Sequence, residues 1–178
     1  MLDYDPYDVL QRARPVASFS VTSADFEHGE PLPRGQWAAF AGGADRSPQL
    51  SWSGFPSGTR SFVVTCLDAD APSASGWWHW VVANIPASVT SLDTNAGAEG
   101  GAGLPQGALM LRNEDGEKAF SGVGPPRGTG VHRYMFVVHA LDVPSFDLDP
   151  DASPASLGTR CFFHALGRGI LVGTATRD

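Results

Sequence analysis

Arg60-Ser61-Phe62-Val63-Val64-Thr65-Cys66-Leu67 is rich in β-branched and aromatic side chains and has no helical period. Such a run suits a pleated, buried surface and reads as a strand. Two further runs behave alike. Trp78-His79-Trp80-Val81-Val82-Ala83-Asn84-Ile85 alternates over a full strand length, as does Arg133 to Leu141. Three strands of this strength make the chain mainly β.

Weaker signals extend the pattern outward. Ser18 to Ser23, Ser47 to Ser53 and Gly169 to Thr174 read as additional strands, and residues 27–36 as turns. The 21 glycines and 14 prolines among 178 residues fit many short strands joined by loops. The densest Gly/Ala stretch, residues 94–108, reads as a loop. One helix is credible near the C-terminus. Ser153 caps it, Pro154 suits its first turn, Leu157, Cys161, Ala165 and Leu166 share a face, and Gly167 and Gly169 close it. A short N-terminal helix over residues 3–15, capped at Asp5-Pro6 and stopped by Pro15, reads as an arm outside the core. The expected organisation is an arm at 1–17 and one domain at 18–178.

Net charge is −7. This opposes nucleic-acid binding, which needs a basic face to neutralise phosphates, and adsorption to anionic membranes. A small pocket for one phosphate stays open. The N-terminus lacks a basic stretch followed by an apolar one, and no apolar run reaches membrane-spanning length. Cys66 and Cys161 each sit among apolar residues and read as buried reduced thiols, so the expected location is the cytoplasm.

Three segments concentrate polar groups. Asp68 and Asp70 end the first strong strand, and alternation puts them on one side, where the two carboxylates need a cationic partner. His79 lies among Trp77, Trp78 and Trp80, and alternation groups it with Val81, Ala83 and Ile85. Gly122 and Gly124 precede Pro125-Pro126, where glycine lets backbone approach a ligand and aims N–H groups inward. His132 opens the next strand, on one side with Tyr134. Singly, each has a plain structural reading as a core histidine, a turn or a loop.

Together they resemble the phosphatidylethanolamine-binding protein family, which includes the Raf kinase inhibitor proteins, and its bacterial branch most of all. The resemblance rests on Asp68-Ala69-Asp70-Ala71-Pro72, on Trp78-His79-Trp80 through Asn84-Ile85-Pro86, and on Gly124-Pro125-Pro126 through His132-Arg133-Tyr134. Ser47-Pro48-Gln49-Leu50-Ser51-Trp52 and Leu171-Val172-Gly173-Thr174 fit as well, so it spans residue 18 to the end. It implies a large antiparallel sheet packed on a smaller sheet, with few helices. It also implies a pocket for phosphate, acetate or a phosphoethanolamine-like head group, formed by Asp68, Asp70, His79, Gly122, Gly124, His132 and Tyr134. A cis bond before Pro72, homodimers and a kinase or protease partner are further implications. Two departures stand out: Ala69 replaces a common proline, and Phe120 a common tyrosine.

On this reading His79 and His132 donate to an oxyanion, while Asp70 and Asp68 accept from their other nitrogens and raise the imidazole pKa. The function expected is binding, without a cofactor. A hydrolase reading has only Ser121 near the loop and no nucleophile elbow. A metal reading would use His79, His132 and a carboxylate, at a spacing that fits no compact motif. His28, His139 and His164 read as structural.

Overall fold

A computed structural model describes residues 4–178. The expected helix start at residue 3 lies outside them. In chain order the regular elements are α1 (Pro6–Ala13), β1 (Ala17–Ser18), β2 (Ser20–Thr22), β3 (Leu50–Ser53), β4 (Ser61–Asp68), β5 (Trp77–Pro86), β6 (Ser91–Leu92), β7 (Leu109–Met110), β8 (His132–Leu141), α2 (Pro154–His164) and β9 (Ala165–Ala175). The large sheet runs β1-β9-β8-β4-β5-β7 and the small one β2-β3-β6. All pairings in the large sheet are antiparallel except β1 with β9, so the sheet is mixed.

The strand Arg60–Leu67 becomes β4, central in the sheet and buried along its length. Phe62, Val64 and Cys66 point toward the small sheet, where they join Trp52, Trp80 and Phe136 in the main core. Val63 points the other way, toward α2, and Leu67 toward α1. A strand covered on both faces has no polar side to show, which explains its unbroken apolar run.

Three expectations need correction. First, α1 is not an arm outside the core. Asp5 caps it, accepting from the Tyr7 and Asp8 N–H groups, and Tyr7 is buried against the large sheet beside Leu67, Met135 and Val137. Second, α2 does not reach Leu166. Ser153 caps it as expected, but it ends at His164 and β9 starts at Ala165. The glycines there serve close strand packing. A Cβ on Gly169 would stand 2.5 Å from Val21, and one on Gly173 2.5 Å from Leu32. Third, the bond before Pro72 is trans, like every peptide bond among the described residues. The Gly/Ala stretch is built of turns, and Gly97 lets it lie on Trp80 and Phe120, at 2.8 Å from a notional Cβ to each. Cys66 and Cys161 are buried free thiols.

Candidate functional site

Strand register brings the site together. Asp68 is the last residue of β4, and it pairs with Tyr134 of β8 on one side and Trp77 of β5 on the other. Cross-strand partners share a face, so these side chains converge at one end of the sheet. His79 reaches the same place by an irregularity. Cys66 pairs with Trp80 and Leu67 with Trp78, which leaves His79 as the extra residue of a β-bulge. A bulge re-aims a side chain. His79 therefore faces Tyr134, with ring centroids 5.2 Å apart, and not the side of Val81 and Ala83 that simple alternation assigned.

These groups floor a cavity of about 250 Å³. Its walls are Phe40, Pro72, Trp77, Pro125 and Pro126, with Asp115 at its edge. The loop over it is pinned to a distant segment. Val123 pairs with Trp37, its N–H donates to the Gln36 carbonyl at 2.9 Å, and the Gly122 N–H donates to Asp45 Oδ1 at 2.8 Å. Gly122 lines the cavity and also permits close backbone packing, since a Cβ there would lie 2.4 Å from Ala38 N. Gly124 lets the Phe40 ring lie on the loop, with a notional Cβ 2.5 Å from the ring edge. Both glycines line the cavity, but the Gly122 N–H is committed to Asp45.

The polar network separates the four expected side chains. Asp68 Oδ2 accepts from His132 Nδ1 at 2.7 Å, and Asp68 Oδ1 accepts from the Asp70 N–H at 2.9 Å. His132 Nε2 meets Thr129 Oγ1 at 2.8 Å. With both nitrogens engaged and only 1% of its surface exposed, His132 anchors Asp68 and does not reach the cavity. Asp70 turns away altogether. Its Oδ2 accepts from the Arg133 backbone N–H and Nε, and its Oδ1 from Arg133 Nη2, so it pairs with arginine and not with a histidine. This fork raises the Arg133 pKa further.

His79 is the histidine left for the cavity. Its Nδ1 donates to the Ser121 carbonyl at 2.9 Å, so Nε2 is the nitrogen that serves the pocket. Burial lowers its pKa, and the Ser121 carbonyl and the Asp68 carboxylate only partly offset this. That reverses the expected rise. Burial, with Asp68 beside it, pushes the Tyr134 phenol well above its ordinary value, so it stays a neutral hydroxyl. The cavity floor is then a neutral imidazole, a neutral phenol and one anchored carboxylate.

Of the remaining histidines, His28 Nδ1 accepts from the Val172 N–H, His164 pairs with Asp142, and His139 is buried. Trp77 rims the cavity, whereas Trp78 packs on the opposite face of the sheet. Phe40 and Asp115 have no distinctive sequence signal, since Phe40 arrives from the short 3-10 helix Ala39–Ala41 and Asp115 from a turn, both outside the motifs. Among the described residues no three His, Cys, Asp or Glu side chains converge as a metal site.

A family model described as phosphatidylethanolamine-binding protein matches residues 22–176. The chain is 44% identical over 146 residues to the UPF0098 protein YbhB of Escherichia coli, covering 81% of this chain and 91% of that protein. The crystal structure of E. coli YbcL, described as a new member of the mammalian PEBP family, superposes with a TM-score of 0.87 at 40% identity, covering 91% of this chain and 100% of YbcL. A putative lipoprotein, LppC of Mycobacterium tuberculosis, is 30% identical over 168 residues, covering 94% of this chain and 77% of that protein. No helix among the described residues is long and apolar enough to cross a membrane.

Proposed function

The chain belongs to the phosphatidylethanolamine-binding protein family, and from that premise we propose that its cavity binds a small phosphate- or carboxylate-bearing group. The preferred form is a zwitterionic, phosphoethanolamine-like head group. The observation that carries this reading is a single cavity lined by both the His79 imidazole and the Asp68 carboxylate, together with Trp77 and Phe40. A tetrahedral oxyanion draws a proton onto Nε2 and takes a charge-assisted hydrogen bond in return. The ammonium of the same ligand meets Asp68, with Asp115 at the edge and aromatic faces around it. A bare anion leaves those carboxylates uncompensated and binds more weakly.

We read the protein as a binder and not an enzyme. Ser121 Oγ lies 3.3 Å from His79 Nδ1 and resembles a nucleophile beside a base. That nitrogen holds its proton for the Ser121 carbonyl, so it is not available to take one from the hydroxyl. The two buried free thiols suit a reducing compartment, and we place the protein in the cytoplasm.

Calorimetric titration with phosphoethanolamine, inorganic phosphate and acetate tests the reading. The expected order has phosphoethanolamine tightest, with its advantage over phosphate lost in Asp68→Asn. Equal affinities for the two ligands, or no binding by either in the millimolar range, refute it.

A second reading has its own observation. Phe40 is 74% exposed at the cavity mouth and flanked by Arg34, Arg127 and Arg177. Such a rim suits contact with an acidic protein surface, which would make the cavity a switch for a regulatory inhibitor of a kinase or protease. Partner capture that survives His79→Ala but fails in Phe40→Asp supports this reading, and capture unchanged by both variants excludes it.

A further inference from the structure

The large sheet carries a second cavity on its opposite face, roofed by α1 and α2 and about 450 Å³ in volume. That size lies within the range of small-molecule sites. Its walls are apolar, with Leu10 from α1, Trp78 from β5, and Leu157, Cys161 and Phe162 from α2. Two buried basic side chains also line it. Arg168 of β9 and His139 of β8 are direct cross-strand partners.

Arg168 is only 6% exposed, and no carboxylate among the described residues pairs with it. Its Nη1 donates to Gln11 Oε1 at 3.3 Å, its guanidinium lies 5.7 Å from the centre of the Tyr7 ring, and its Nε has no hydrogen-bond partner among the described residues. His139 Nδ1 is likewise buried without a partner. The titratable and charged groups around Arg168 include Tyr7, Cys161, Arg14 and, across the strand pair, His139, none of them an acid of the Asp or Glu kind. A buried cation without a counter-ion beside it is costly, and an anionic ligand at that spot would offset the cost.

We propose that this cavity is a binding site for an amphiphile with a single carboxylate and a medium-length hydrocarbon tail. The carboxylate pairs with Arg168 and takes up its idle Nε–H, while the tail lies along Leu10, Trp78, Leu157 and Phe162. One uncompensated cation beside a neutral imidazole calls for a monoanion. The apolar walls call for a tail, which inorganic anions lack. The site is independent of the head-group cavity, since the two open on opposite faces of the sheet and share no lining residue.

The test is calorimetric titration of the whole protein with sodium decanoate below its micellar range, with melting temperature as a second readout. Wild-type protein binds decanoate stoichiometrically and melts higher with it. Decanol, which has the tail without the charge, binds at least tenfold more weakly. Arg168→Met lowers decanoate affinity at least tenfold, and its unliganded melting temperature does not fall, because the substitution removes an uncompensated charge. His79→Ala leaves decanoate affinity unchanged. If Arg168→Met fails to fold, Gly158→Phe decides. Gly158 lines the cavity and a Cβ there meets nothing within 4 Å, so a phenyl ring at that position has room to block the mouth without displacing Arg168, and binding is lost. Decanoate affinity that is absent, equal to that of decanol, or unaltered by Arg168→Met and Gly158→Phe overturns the proposal.

Discussion

Acidification should destabilise this protein through His139. The ring is buried between strands and helices, with Arg168 across the sheet, Tyr7 at a ring-centroid distance of 6.1 Å, and no partner for Nδ1. Burial first, and the Arg168 cation second, push its pKa from 6.5 down to about 3. The unfolded chain takes a proton near pH 6.5 and the folded one does not. Stability from this residue is therefore complete above pH 6.5 and is lost as pH falls toward 3. The slope is about 1.4 kcal/mol per pH unit, which amounts to about 2 kcal/mol by pH 5 and about 5 kcal/mol over the whole window. His79, whose pKa is also lowered by burial, steepens the upper part of the decline. Urea unfolding followed by tryptophan fluorescence at intervals from pH 7.5 to 5.0 measures the slope. His139→Met keeps similar bulk and removes the titration. Losing the ring contact with Tyr7 displaces its whole curve, but only the missing proton changes the slope. Parallel wild-type and His139→Met curves would refute the reasoning.

Three further outcomes follow from the site. Sulfate does not titrate near neutrality, so its binding should draw a proton from solution onto His79. Affinity then falls by up to about tenfold per pH unit as pH rises above the depressed pKa of the free ring, and His79→Ala flattens the profile. Calorimetry in two buffers of different ionisation enthalpy counts that proton, and zero uptake rejects the mechanism. Gly122→Ala drives a methyl group against the Trp37–Ala38 backbone and should cost about 2–3 kcal/mol of unfolding free energy, whereas Gly158→Ala, within α2 and with nothing within 4 Å of the added methyl, should gain up to about 1 kcal/mol. Asp70→Leu strips the Arg133 fork of its carboxylate and should cost about 3 kcal/mol of stability, while leaving the ratio of phosphoethanolamine to phosphate affinity intact. A collapse of that ratio in Asp70→Leu would return Asp70 to the binding site.

Side-chain chemistry along the chain was enough to place the strong strands, the capped helix and the candidate site segments. Val63, Val64 and Cys66 cannot sit anywhere but in a covered strand, and Ser153-Pro154 can open a helix without help from the rest of the molecule. What local periodicity could not reach was the orientation of individual groups. The bulge at His79 exists because β5 must stay in register with β4 on both sides of it, and that demand is invisible within either strand. The division of labour between Asp68 and Asp70 depends on where Arg133 and His132 arrive from β8, more than sixty residues away. The packing of Tyr7, the stranded charge of Arg168 and the Phe40 rim have the same origin. Each is a contact between segments remote in sequence, and only the folded chain brings their partners within range.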